Sequence, residues 1–187
     1  MRRFVINTVL MDQEFNKIVD EVPKLEINTT TARENMGEID CAIRTVKERS
    51  RAVVSYQPYT ILTKHIVIHL VYFSVLWLNN KPNQLGISQV HSPREIFTGR
   101  KIYWAKHCQA GFCDFVQASY DRDVTNGVSY MRTYNGIYLG PLGNRQGTMK
   151  VFDICKGKVK KPRTITILPL PDRVIVLVNK WGKRFQR

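Results

Sequence analysis

Between Ile66 and Leu78 the chain reads IVIHLVYFSVLWL, its most apolar stretch, and it ends abruptly at Asn80-Lys81-Pro82. The run is too short to span a bilayer and carries His69, so it predicts a buried helix over Ile61 to Asn79 at the centre of a core. That single element forces the rest of the chain to supply apolar partners. The preceding segment, Glu38 to Ser55, offers one face: Ile39, Ala42, Ile43, Val46, Val53 and Val54 recur at helical spacing, against a mostly basic opposite face. Ser92-Pro93-Arg94-Glu95 is a capping box with proline at the first helical position, predicting one short turn to about Thr98.

Strand patterns flank these helices. Phe4 to Leu10 reads as a buried strand stopping at Asp12, Glu14 to Val22 as a short helix, and Lys24 to Asn28 as a second strand. Beyond Gly99 the texture changes to short runs, Phe112 to Ala118, Asn135 to Leu139, Thr148 to Ile154 and Thr164 to Leu168, broken by Gly, Pro, Asn and Lys. Their spacing predicts a small β-barrel or sandwich. Asp172 to Phe185 has valines that suit a strand, but Pro171-Asp172 and the spacing of Val174, Val178 and Trp181 favour a capped amphipathic helix.

Charge points to the partner. The chain has 187 residues with 29 Lys and Arg against 15 Asp and Glu, a formal net charge of +14. Residues 1–100 hold 13 basic and 10 acidic side chains, and residues 101–187 hold 16 and 5, so the second half carries most of the excess. A strongly basic surface favours polyanions, nucleic acid first among them. Lys156, Lys158, Lys160, Lys161 and Arg163 form the densest cluster, with Phe152, Trp181 and Phe185 interleaved, a pattern suited to phosphate contact.

Other chemistry is thinly represented. Asp12 at a strand end and Glu38 or Asp40 at a helix start are candidate metal ligands, although an acid in a first turn also complements the helix dipole. His65 and His69 are one turn apart without an HExxH motif, and His107-Cys108 with Cys113 is short of a zinc set; core packing is the better reading of both. There is no P-loop, nucleophile elbow or dinucleotide fingerprint. Cys41, Cys108, Cys113 and Cys155 are scattered, and no leader opens the chain, so reduced thiols in the nucleus or cytoplasm are expected, with no membrane segment.

The order of these segments resembles the integrase region of copia-type LTR-retrotransposon polyproteins, over about Val9 to Pro171. MDQEF (Met11 to Phe15) is similar to the strand end bearing the family's second catalytic Asp. INTTTARENMGEIDCAIRTVKER (Ile27 to Arg49) resembles the loop and helix bearing the third acid, and WLN (Trp77 to Asn79) a later helix end. SPREIFTGRK (Ser92 to Lys101) is similar to the segment that closes the core, and GIYLGPLGNRQGTMKVFD (Gly136 to Asp153) to the signature of the small barrel that follows.

The resemblance implies an α/β plus β architecture: a partial RNase H-like integrase core over 1–105, an SH3-like barrel over 106–171 and a basic helix or tail over 172–187. It implies DNA integration through an Asp-Asp-Glu triad and Mg²⁺ or Mn²⁺. Asp12 matches the second Asp. Asp40, with Arg44 four residues on, matches the catalytic Glu, and Glu38 is the alternative. Asp12 and Asp40 would hold the metal, with Arg44, Lys47 and Arg51 near DNA phosphates. The first catalytic Asp is expected on a strand before Met1, so the chain alone is expected to be inactive, with marginal solubility for residues 1–105 in isolation. Partners implied are DNA and other integrase fragments or a second copy. A non-enzymatic nucleic-acid-binding module and a decayed transposon remnant are the competing readings.

Overall fold

The structure is a computed structural model that describes residues 5, 7–11, 26–29, 37–84, 86–120 and 131–184. It is a mixed helix and sheet protein. Strands β1 (Thr8–Met11) and β2 (Glu26–Thr29) pair in parallel, Thr8 opposite Glu26 and Met11 opposite Thr29. The first strand thus lies further along than Phe4 to Leu10 predicted. The helix expected over Glu14 to Val22 falls outside the described residues.

Helix α1 (Gly37–Ser55) and helix α2 (Lys64–Asn80) form where their periodicity places them. Thr63 caps α2, its hydroxyl accepting from the Ile66 N–H at 3.2 Å, which fixes the start three residues after the expected Ile61. The helices pack on each other, with the Ser50 and Ser74 hydroxyls 3.0 Å apart. Helix α2 corrects the expectation of a buried helix at the centre of a core. Ile66, Leu70 and Ser74 are buried, while Val67, Ile68, Val71 and Tyr72 are exposed, because one stripe alone meets neighbours.

The short helix α3 (Pro93–Thr98) has the expected cap, Ser92 Oγ accepting from the Glu95 N–H, and ends at Gly99 in the left-handed conformation. A single turn, α4 (Trp104–His107), follows; it was not anticipated, and it stacks Trp104 on Trp77 of α2 with centroids 5.5 Å apart.

The second half contains β3 (Phe115–Ser119), β4 (Thr133–Pro141), β5 (Met149–Asp153), β6 (Lys158–Lys160) and β7 (Ile165–Ile167). All pairings are antiparallel, in the order β6-β5-β4-β3-β7. The described ladder therefore has two edges, and a closed barrel is corrected to an open five-stranded sheet. The register shifts between Tyr138 and Gly140, where Gly140 takes a φ of +117° that a side chain would resist. The terminal segment is helix α5 (Asp172–Arg184), as the Val174/Val178/Trp181 spacing predicts.

One apolar cluster draws on both sides of position 105. Tyr59, Ile66 and Leu70 meet Phe112 of the turn before β3, Phe115, Ile137, Leu139 and Phe152 of the sheet and Val174 and Val178 of α5. The opposite sheet face has its own cluster around Val116, Tyr138, Met149 and Val151. Polar ties reinforce the join. Asn179 Oδ1 on α5 accepts from the Thr60 and Ile61 N–H groups at 3.0 and 3.1 Å, and Trp181 Nε1 donates to the Ile154 carbonyl at 2.8 Å. No helix among the described residues is long and apolar enough to cross a membrane.

Candidate nucleic-acid interface

The β5–β6 hairpin carries the basic cluster, and its register decides which lysines face water. Asp153 pairs with Lys158, Phe152 with Val159 and Val151 with Lys160. Alternation puts Lys158 and Lys160 on the face of Val151, and Val159 on the face of Phe152. Lys156 lies in the turn, and Lys161 and Arg163 follow β6; these three and Lys158 are exposed.

Lys160 is different. Its Nζ lies 2.7 Å from Asp153 Oδ2, and 4.5 and 4.1 Å from the ring centroids of Tyr120 and Tyr134. Asp153 is only 1% exposed. Its other oxygen accepts from the Cys155 and Lys156 N–H groups at 2.9 and 3.0 Å, which fastens the turn. Burial by itself would raise the Asp153 pKa. The hydrogen bonds from Lys160, Lys156 and Cys155, with the Lys160 charge, outweigh it and hold the carboxyl below its ordinary value. Lys160 is thus committed to the inside of the hairpin, unlike its exposed neighbours.

On α1, Asp40, Arg44, Lys47 and Arg51 are exposed and follow one another at four, three and four residues, a single stripe along the helix. This stripe and the hairpin lysines belong to different elements, linked through α2, which packs on α1 and on β4. Asp40 stands in the first turn of α1 with Arg44 one turn on. Asp12 and the Glu38 side chain lie outside the described residues. Among the described residues no three His, Cys, Asp or Glu side chains gather. An exposed Asp40 alone does not fit a two-metal centre.

The SPREIFTGRK segment acts structurally. Arg94 Nη2 donates to the Gly143 carbonyl at 2.6 Å in the loop after β4, and Lys101 Nζ lies 3.3 Å from Glu95 Oε1. His107 is buried with Nδ1 2.8 Å from the Tyr103 carbonyl and Nε2 2.9 Å from the Asn144 carbonyl, so its nitrogens are engaged by backbone. Of the four free cysteines only Cys113 is buried; burial first, then the Asp114 charge, pushes its thiol pKa up.

Sequence reasoning missed one group. His69 is partly buried on α2, its Nδ1 is sequestered without a hydrogen-bond partner, and its ring lies 6.1 Å from that of Tyr72. Lys150 of β5 reaches the same place, its Nζ 5.5 Å from the Tyr72 centroid. His65 is exposed on the preceding turn, so it is no core histidine. The one available signal was the pairing of His65 and His69 on a single helix face.

No protein-family model matches the chain, and no curated protein matches it in sequence.

Proposed function

We propose that this chain binds nucleic acid, DNA foremost, through non-specific phosphate contacts made by the β5–β6 hairpin and the residues after it. The observation that carries the reading is the internal pairing of Asp153 with Lys160. It neutralises the acid of the hairpin from within and leaves the exposed Lys156, Lys158, Lys161 and Arg163 without an ion pair among the described residues. The exposed stripe Arg44, Lys47 and Arg51 adds a second basic surface on α1.

By descent we assign the activity to DNA integration of the copia type. In support, the resembling segments coincide with structural punctuation: MDQEF starts at the last residue of β1, GEIDCAIR opens α1, and SPREIFTG is a capped helix. The GIYLGP to FD segment spans β4 and β5. A meander whose last strand returns beside its first is compatible with an SH3-like unit. Asp12 with Asp40 or Glu38 are the acids this chain would bring to Mg²⁺ or Mn²⁺, with other integrase fragments or a second copy completing the site. The second reading is a binding module without chemistry, favoured by the exposure of Asp40 on its helix.

Substituting Lys158, Lys161 and Arg163 together by Gln separates binding from folding. The full-length variant should keep its urea midpoint and lose roughly three phosphate contacts, lowering the salt slope of DNA binding by about 2.7. An unchanged slope would refute the assignment of the hairpin. Strand transfer by chain supplemented with upstream integrase polypeptide, abolished in Asp12→Asn, would support integration; transfer surviving that substitution would sink the catalytic assignment.

A further inference from the structure

Helix α2 and strand β5 bring a second set of basic groups together, on the other face of the hairpin from Lys158. The ladder that pairs Val151 with Lys160 continues past β6, where the Met149 N–H donates to the Pro162 carbonyl at 3.0 Å. That register sets Lys150 opposite Lys161, on the face of Phe152 that α2 covers. Lys150 Nζ sits over Tyr72, one turn of α2 from His69, and His65 lies a turn further back. His69, Tyr72, Phe73 and Lys150 line a cavity of about 20 Å³.

The groups whose charge acts on His69 are Lys150 and His65, and the one that acts on Lys150 is Lys161. Burial first, then Lys150 and His65, keep His69 below the usual imidazole range. Burial first, then Lys161, lowers the Lys150 pKa. The fold thus gathers basic groups at the meeting of a helix and a hairpin, where Lys150 and His65 disfavour charge on His69 and Lys161 disfavours it on Lys150. An anion reverses that balance, because it stabilises every protonated form at once. The cavity has room for about one water molecule and none for a base or sugar, so a nucleic acid would meet this site through its backbone.

We propose that His65, His69, Lys150 and Lys161 form a nucleic-acid phosphate site that takes up a proton on His69 when it is occupied. This rests on the reading of the chain as a phosphate-backbone binder and adds to it a new surface and a pH dependence. Binding becomes tighter as pH falls, because the phosphate favours an imidazolium that the free protein disfavours.

The test uses the full chain and a short fluorescein-labelled DNA duplex at fixed ionic strength, with anisotropy read between about pH 8 and pH 6, either side of the usual imidazole pKa. Wild type should gain up to about tenfold in affinity over that range, equivalent to one pKa unit of linkage. His69→Gln should lose most of the gain between the two ends of that range. The difference isolates His69 from His91 and His107, which both variants share. Calorimetry in two buffers of different ionisation enthalpy should show net proton uptake in wild type and less in His69→Gln. Lys150→Gln should lower the salt slope by about 0.9.

Superimposable pH profiles for wild type and His69→Gln, with salt-dependent binding intact, would overturn this proposal alone. Absence of salt-dependent binding at every pH would overturn it together with the proposed function. Should His69→Gln fail to fold, His65→Gln at the exposed end of the site decides: a reduced pH gain supports the site and an unchanged one overturns it.

Discussion

Removing the Asp153 carboxylate should unfasten the β5–β6 hairpin. The side chain is 1% exposed and makes three hydrogen bonds, one of them to an ammonium whose own side chain is 26% exposed. Breaking a buried pair by deleting one partner costs about 3–5 kcal/mol, chiefly by stranding the other charge. Lys160 keeps partial access to water and two tyrosine faces, which places the Lys160 contribution at the lower end, about 3 kcal/mol. Asp153→Asn retains an acceptor for the turn and should cost about 2–3 kcal/mol, and Asp153→Ala about 3–5 kcal/mol.

The pH dependence has a definite sign. The folded carboxyl has a pKa below its unfolded one, so between the two values the unfolded chain binds more protons. The contribution is complete above about pH 4 and is lost as pH falls through the lowered folded value. Urea unfolding followed by tryptophan fluorescence should therefore show a gap between wild type and Asp153→Asn that is constant near neutrality and narrows in acid. Lys160→Met should be non-additive with Asp153→Asn, with a coupling of about 1–3 kcal/mol. A gap below about 1 kcal/mol at neutral pH, or one that does not narrow in acid, would refute the reasoning.

Other consequences are direct. Native thiol titration should modify Cys41, Cys108 and Cys155 rapidly and Cys113 only on unfolding; four fast thiols would contradict the packing of Phe112, Cys113 and Tyr59. Gly136→Ala should destabilise by more than about 2 kcal/mol, since its Cβ would fall 2.3 Å from Val151 Cγ1 and 2.7 Å from the Phe152 carbonyl oxygen; an unshifted urea midpoint would count against the β4–β5 register. Asn179→Leu removes the acceptor of two N–H groups in the segment before α2, the Ile61 one part-buried, and should cost about 1–2 kcal/mol, read as a lowered melting temperature, with no change expected if α5 were undocked.

The helices were legible because local patterns set them: caps at Ser92 and the apolar stripe of α1 act within a few residues. The exposure of Val67, Ile68 and Val71 was not, since a run apolar on every side carries no mark of which face finds a partner. Strand β6 escaped because Lys-Val-Lys has no strand signature of its own; it pairs only because Phe152 and Val159 meet in the core. The site divides the same way. The Arg44, Lys47 and Arg51 stripe follows from helical spacing, whereas the inward commitment of Lys160 depends on the hairpin register, and the meeting of His69 with Lys150 depends on α2 docking over β5.

The central claim is that the exposed cations of the hairpin neutralise backbone phosphates. DNA affinity of the full chain across a salt series tests it most directly. Contacts from Lys156, Lys158, Lys161 and Arg163 predict log K falling with log salt at a slope of about −3.6, reduced to about −1 in the triple variant of Lys158, Lys161 and Arg163. Weak binding by the folded chain, with a slope near zero in both proteins, would contradict it.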